Sequence, residues 1–201
     1  LVGASFVDSK GAVTSLKNGS VVDVDASQAA YLAGYASAGM TTTGTLAVVG
    51  GERDNVTSSQ MSAFSQGVDA YNLANGTSIT VLGWNPVTSD GTYAGSANEV
   101  RTATADAISQ GADIIAPFAI GAPVLTGVVV DYKAAMDTLI AQASAGEKAS
   151  VVPVSLASGG VILTGFGAYT PMLSSELKLG LSDMVGQIET GGMVISTPFD
   201  V

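Results

Sequence analysis

Apolar and polar positions alternate along this chain in runs that switch between the helical and the strand period. From Gln28 to Met40 the larger apolar residues Tyr31, Leu32, Tyr35 and Met40 sit among alanines and glycines. That spacing predicts a helix with one face able to lie close against a sheet. The turn Thr41-Thr42-Thr43-Gly44 stops it, and Thr45 to Val49 follows as an apolar run without clean alternation, as in a strand covered on both faces. Gly50-Gly51 closes the strand at its carboxyl end. Val56, Met61, Phe64, Val68 and Tyr71 recur at helical spacing over Asn55 to Ala74, with Asp54 or Thr57 as the cap. Ile79 to Leu82 reads as a strand, Trp84-Asn85-Pro86 and the residues after it as a loop, Asn98 to Gln110 as a helix ending at Gly111, and Asp113 to Phe118 as a buried strand.

Upstream, Leu1 to Val7 and Val21 to Val24 read as strands separated by the turn pairs Lys10-Gly11 and Asn18-Gly19. Downstream, Val124 to Val130 is a strand and Asp131 to Ala145 a helix. Val151 to Leu156 and Gly160 to Thr164 are expected to form a hairpin across Ala157-Ser158-Gly159, and Ser174 to Thr190 is a last helix. Strands alternating with helices over short connections predict an α/β protein with parallel sheets flanked by helices.

Composition narrows the function. The chain has 201 residues, of which 47% are hydrophobic, ample for a core. Only 12% are charged, and 7 Lys+Arg against 17 Asp+Glu leave a net charge of −10. So few cations argue against nucleic acid and anionic membrane surfaces as partners. The absence of Cys and His removes disulfides, thiol nucleophiles, imidazole bases and the commonest zinc ligands together. No GxSxG motif occurs either, so no serine nucleophile is supported. No apolar run of about eighteen residues and no signal-peptide pattern is found within the sequence. Asn18-Gly-Ser, Asn55-Val-Thr and Asn75-Gly-Thr fit the glycosylation pattern, but turn-rich sequence produces it by chance and no glycan is invoked.

Three blocks carry a resemblance. The run AAYLAGYASAGMTTTGTLAVVGG (29–51), then Phe64-Ser-Gln-Gly-Val, then Gln110-Gly-Ala-Asp-Ile-Ile-Ala-Pro resemble the basic-membrane-protein (BMP) lipoproteins, PnrA-like substrate-binding proteins of ABC importers. The match runs well from about Val21 to Gly121 and more loosely to the end. The resemblance implies a periplasmic-binding-protein type I-like architecture of two lobes interleaved by chain crossovers, with residues 1–121 as a first α/β region and 122–201 completing the fold. It implies a non-enzymatic, extracytoplasmic protein that captures a small polar ligand, a purine nucleoside, for an ABC permease. Its membrane attachment would be a lipid anchor outside this sequence, and no cofactor or metal is expected.

The chain also departs from the family pattern, being shorter by roughly a third, a large difference for a body whose size is set by its core. An Asp-Lys-Ser-Phe-Asn type segment has no counterpart; Phe6-Val-Asp-Ser-Lys10 holds similar residues in another order. A Gly-Val-Asp-Ser-Asp type segment is expected between Phe118 and Val124, where only Ala119 to Pro123 stand. Val130 occupies the place of an expected Lys, and Lys133 follows three residues later. Segments are therefore expected to be missing at junctions such as Pro123-Val124, since parallel strands need a crossover. The alternative is a shortened surface or assembly protein on the same scaffold without the pocket.

The ligand-binding residues expected are Gly50, Gly51, Glu52 and Arg53, which follow a strand and precede a helix, together with Phe118, Ala119 and Gly121 at the end of the later strand. The first group reads equally as a strand-to-helix turn in which Arg53 pairs with Glu52 or Asp54, and Phe118 reads either as a stacking platform or as core. The turn lacks the GxGxxG and GK[ST] patterns, which argues against phosphate binding. Trp84 reads as a structural residue or as one lining a cleft mouth, the first being favoured, and the Asp23/Asp25 pair could hold a metal or sugar hydroxyls, although Asp25 is more simply read as capping the helix that begins near Ser27.

Overall fold

The computed structural model describes residues 6–7, 13–14, 19–118, 128–147 and 150–197. In chain order the strands and helices are β1 (Phe6–Val7), β2 (Val13–Thr14), β3 (Val21–Val24), α1 (Ser27–Met40), β4 (Thr45–Gly50), α2 (Asn55–Asn75), β5 (Thr80–Leu82), β6 (Trp84–Asn85), β7 (Asp90–Gly91), α3 (Ala97–Ser109) and β8 (Ile114–Phe118). There follow β9 (Val128–Val130), α4 (Tyr132–Ser144), β10 (Val151–Val154), β11 (Val161–Leu163), a 3-10 turn (Gly167–Met172) and α5 (Ser175–Glu189).

A parallel sheet of order β5-β4-β8 holds the candidate site. Its central strand β4 is buried on both faces, which is why its sequence shows no alternation. Leu46 and Val48 pack with Met61, Phe64 and Val68 of α2, while Ala47 on the other face meets Ala107 of α3 and Ala112. Pro117 lies in β8 at the edge of the sheet, where a missing N–H costs no ladder bond. Asp54 caps α2, its Oδ1 accepting from Thr57 N at 2.7 Å, and Gly76 ends the helix in the left-handed region at φ 65.

A second parallel pair joins β3 to β10, and β9 pairs antiparallel with β11. Val22, Val152, Val154 and Val161 pack there with Ala29 of α1 and Ala135 of α4. The hairpin expected from Val151 to Thr164 does not form. Residues 155–160 do turn, with Gly160 N donating to Ser155 O at 3.0 Å, but the flanking strands enter different sheets. Valine-rich β3 and β9 compete for the same backbone groups, and pairing with them places Val152, Val154 and Val161 in one core.

Helix α1 differs from expectation in its partner. Its close approach is to α2, not to a sheet: a Cβ on Gly34 would come within 2.0 Å of Phe64 O, and one on Gly67 within 2.0 Å of Tyr31 O. Backbone thus rides on backbone where the helices cross. Leu177 and Leu181 of α5 complete that layer. Of the strand expected over Leu1 to Val7, Phe6 and Val7 are described, paired with Val13 and Thr14 in a strand that the pattern did not suggest. Residues 124–127 of another expected strand lie outside the described residues. The segment read as loop after Leu82 contains the antiparallel pair β6 and β7.

Candidate functional site at the carboxyl ends of the parallel strands

Parallel pairing ends β4 and β8 together. Gly50 stands opposite Phe118, and Gly51 N donates to Phe118 O at 3.1 Å. Helix α2 begins a few residues further on, so the amino end of its dipole opens beside the same strand ends. Gly50 is held on its other side by the segment after β7: its N donates to Thr92 O at 2.9 Å and its O accepts from Ala94 N at 2.8 Å. That brings Tyr93 directly over the glycine. A Cβ at Gly50 would meet Tyr93 Cδ1 at 2.7 Å, Met61 Sδ at 2.8 Å and Thr57 Cγ2 at 2.9 Å, so glycine is required here by space. Ser58 fixes the ring, its Oγ lying 2.7 Å from Tyr93 Oη and donating to Asp54 O at 2.6 Å.

Arg53 does not pair with Glu52 or Asp54. Its guanidinium meets Asp90 at 2.8 Å and lies 5.7 Å from the centre of the Tyr93 ring. The Asp90 carboxylate reaches it because the β6–β7 hairpin folds back beside the turn. Both side chains of the pair are well exposed, so the pair contributes about 1 kcal/mol or less to stability and leaves Arg53 able to exchange Asp90 for a ligand oxygen. Glu52 is exposed in the same turn. Phe118 is half-buried, meets Phe64 edge-on with ring centres 6.1 Å apart, and packs against two apolar clusters, so core packing takes part of the ring.

Of the expected residues, Gly50, Gly51, Glu52, Arg53 and Phe118 therefore converge on one sheet end, while Ala119 and Gly121 lie outside the described residues. Tyr93, Asp90 and Ser58 were missed. The only hint of them in the sequence was Asp90-Gly91, a turn pair that returns the chain to the sheet. Lys133 is exposed on α4, paired with Asp137 at 2.6 Å, whereas Val130 is in β9. Trp84 is buried in the core beside Met61 and Phe64, as its structural reading requires. Asp25 Oδ1 accepts from Ser27 N at 2.8 Å at the start of α1, so this carboxylate serves the helix.

A cavity of about 550 Å3 begins one residue below the strand ends, at Val49 and Thr92, and runs under α3 along Asn98, Thr102, Asp106 and Gln110. Arg53 and Phe118 do not line it. We place the candidate site above this cavity, because the charged and aromatic groups converge at the strand ends and the cavity's sheet wall is aliphatic, from Ala47, Val48, Val49 and Leu82.

The Asp113 carboxylate of the Gln110-to-Pro117 block has a different task at the opposite, amino end of the sheet. It accepts from Thr41 Oγ1 at 2.5 Å, Thr42 N at 2.6 Å, Thr42 Oγ1 at 2.7 Å and Thr43 N at 3.2 Å. Desolvation opposes the charged form, but these donors outweigh it and hold the carboxyl well below the usual carboxylate range.

Comparison with known proteins bears on the fold and the family. The chain is similar to the ABC transporter system solute-binding proteins from Aeropyrum pernix K1, with TM-score 0.68 at 15% identity over 99% of this chain and 70% of that one. The solute-binding protein from Conexibacter woesei DSM 14684 gives TM-score 0.64 at 16% identity over 92% of this chain and 67% of that one. A structure described as a transcriptional activator of the comK gene from Bacillus halodurans gives 0.65 at 13% identity over 88% and 67%. These likenesses establish a periplasmic-binding-protein type of fold, which alone does not fix a ligand. No curated protein matches the chain. The model of the Bmp family, described as ABC transporter substrate-binding protein PnrA-like, matches residues 4–135. The chain belongs to this family and is an extracytoplasmic, non-enzymatic substrate-binding protein that presents a small molecule to an ABC permease.

Proposed function

We propose that the small molecule is a purine nucleoside, bound where β4 and β8 end side by side. The observation that carries this reading is the register that sets Gly50 and Gly51 against Phe118, with Tyr93 and Arg53 on the same rim. Aromatic rings here offer stacking to a base, while the Gly51 carbonyl can accept from a ribose hydroxyl and the Arg53 guanidinium can donate to hydroxyls and ring nitrogens. Ala119 and Gly121, which follow Phe118 in sequence, belong to the same proposed set of ligand-binding residues. Asp90 pairs with the single guanidinium and Glu52 and Asp54 flank Arg53 in sequence, an acidic balance that disfavours a phosphate and so favours a nucleoside over a nucleotide. Closure of a second lobe over the base by a hinge motion would bury the ligand. The family resemblance further supports attachment at the cell surface through a lipid anchor.

Calorimetric titration with guanosine, adenosine and inosine tests the assignment. At least one should bind with Kd near ~1 μM or tighter, about −8 kcal/mol, and guanosine monophosphate should bind at least about tenfold more weakly. Phe118→Leu, which keeps an apolar side chain in the core, should weaken the nucleoside by about tenfold, ~1.4 kcal/mol. Failure of all three nucleosides, or equal binding of the monophosphate, would overturn the reading.

A further inference from the structure

The β6–β7 hairpin carries Asp90-Gly91, the one Asp-Gly pair in the chain, on the stretch that leads to Tyr93. In such a pair the glycine nitrogen can attack the side-chain carboxyl carbon of the residue before it, because the glycine has no side chain to hinder the approach. An asparagine before glycine reacts in the same way and faster, and the chain has two such pairs, Asn18-Gly19 and Asn75-Gly76. In a folded protein the outcome is decided by whether the backbone holds the nitrogen and the side chain together.

Asp90 and Gly91 are so held. Gly91 N donates to Asp90 Oδ1 at 2.8 Å, so the attacking nitrogen already faces the carboxyl group it would join. The packing keeps the glycine in place: a Cβ there would meet Gly83 O at 2.5 Å, Met61 Cε at 2.7 Å and Trp84 Cε3 at 3.1 Å. The Asp90 side chain is well exposed despite its pairing with Arg53, so water reaches it. Asn75 stands differently. It ends α2, where Gly76 N donates to Asn72 O and Asn75 Nδ2 donates to Tyr71 O at 3.0 Å. The helix thus engages both groups and keeps them from each other, while Asn18 lies outside the described residues.

We propose that Asp90-Gly91 is a modification site, at which aspartate isomerises spontaneously to isoaspartate. Gly91 N bonds to Asp90 Cγ, and a carboxyl oxygen leaves as water with the amide proton and the acid proton, so that a cyclic imide remains. Water then adds to one of the two imide carbonyls. Opening at the main-chain carbonyl reroutes the chain through Cβ and Cγ and leaves the α-carboxylate as a side group; opening at the other restores aspartate. The water lost in closing is regained in opening, and the mass is unchanged. The rerouted chain is one methylene longer just before Gly91, which has no space to spare between Met61 and Trp84. The register of Asn85 with Asp90 and of Trp84 with Gly91 is then lost, and with it the placement of the carboxylate on Arg53. Isomerisation therefore loosens the strand that leads to Tyr93. The proposal does not rest on the nucleoside assignment, because ring closure uses only the atoms of these two residues.

Asp90→Asn places the same Asn-Gly chemistry at two positions of one molecule and so isolates the geometry. The whole variant is kept at neutral pH, folded in buffer or unfolded in urea, and deamidation at positions 75 and 90 is followed by peptide mapping, with circular dichroism to verify the folded samples. In the folded variant, position 90 should deamidate at least about tenfold faster than Asn75 when each is taken relative to its own rate in urea. The wild type, kept folded at pH ~5, where a fraction of carboxyl groups is neutral, should accumulate isoaspartate at position 90 that electron-transfer fragmentation distinguishes from aspartate. A folded-state advantage of position 90 below about threefold would overturn the proposal. Absence of isoaspartate at position 90 from the folded wild type would overturn it as well.

Discussion

At the scale of single residues, the β4–β8 pair carries the proposed ligand site at one end and a purely structural carboxylate at the other. Asp113 gathers the hydroxyls and amides of Thr41, Thr42 and Thr43 and thereby locks the turn that feeds β4. Asp113→Ala should cost about 1–2 kcal/mol at neutral pH, a figure kept low because the carboxylate is exposed and screened. The sign of its pH dependence follows from the depressed folded pKa. The stabilisation is complete above the unfolded value of about 3.9 and is lost as pH falls through the lower folded value. Urea midpoints of the wild type and the variant should therefore differ above pH ~4 and converge below it; a gap that is constant down to pH ~2 would contradict the role. At the other end, Gly50→Ala must displace Tyr93, Met61 or Thr57. It should weaken ligand binding by about tenfold or more while Tyr93→Phe, which keeps the ring, weakens it less.

At the scale of elements, the pattern of apolar residues showed which segments are helices and strands more clearly than it showed their partners. α1 was legible as a helix carrying small residues, but small residues permit close approach without naming the neighbour, and the neighbour is α2. The contact through Gly34 and Gly67 can be tested. Gly67→Ala would set a methyl 2.0 Å from Tyr31 O, force the helices apart and cost about 3 kcal/mol or more. Gly186→Ala in α5 meets nothing within 4 Å and should stabilise by roughly 0.5–1 kcal/mol through helix propensity. Equal effects of the two substitutions on thermal stability would refute the close crossing. The false hairpin at 151–164 has a related cause: turn chemistry at residues 157–159 is local, whereas the choice of strand partner depends on valines far away in sequence. The sheet end proposed as the site was legible in part for the same reason. Gly50 and Phe118 follow from parallel-strand topology, while Tyr93 and Asp90 arrive from a hairpin whose return path no periodicity marks.

At the scale of the whole molecule, α1 joins cores that the two sheets would otherwise keep separate. Ala29 at its start belongs to the core around β3 and β10, Tyr31, Leu32, Tyr35 and Ala36 to the layer shared with α5, and Ala38 to the core under β4. At about 1.5 Å per residue the helix spans roughly 20 Å, enough to cross all three. Separating one sheet from the other would expose most of a helix with ten buried residues, Ser27 and Ser37 among them, so neither sheet has a stable intermediate state in which α1 is released. The described body should therefore melt as one cooperative unit, with calorimetric and van't Hoff enthalpies in a ratio near one. Leu32→Ala, at the fully buried centre of α1, removes packing from the layer shared with α5 and should lower the single transition by roughly 5–15 °C without splitting it. Two resolved transitions in scanning calorimetry, with only one of them moved by Leu32→Ala, would show that the sheets are energetically independent. Hinge closure on a ligand would then have to be carried by a flexible joint and not by motion about α1.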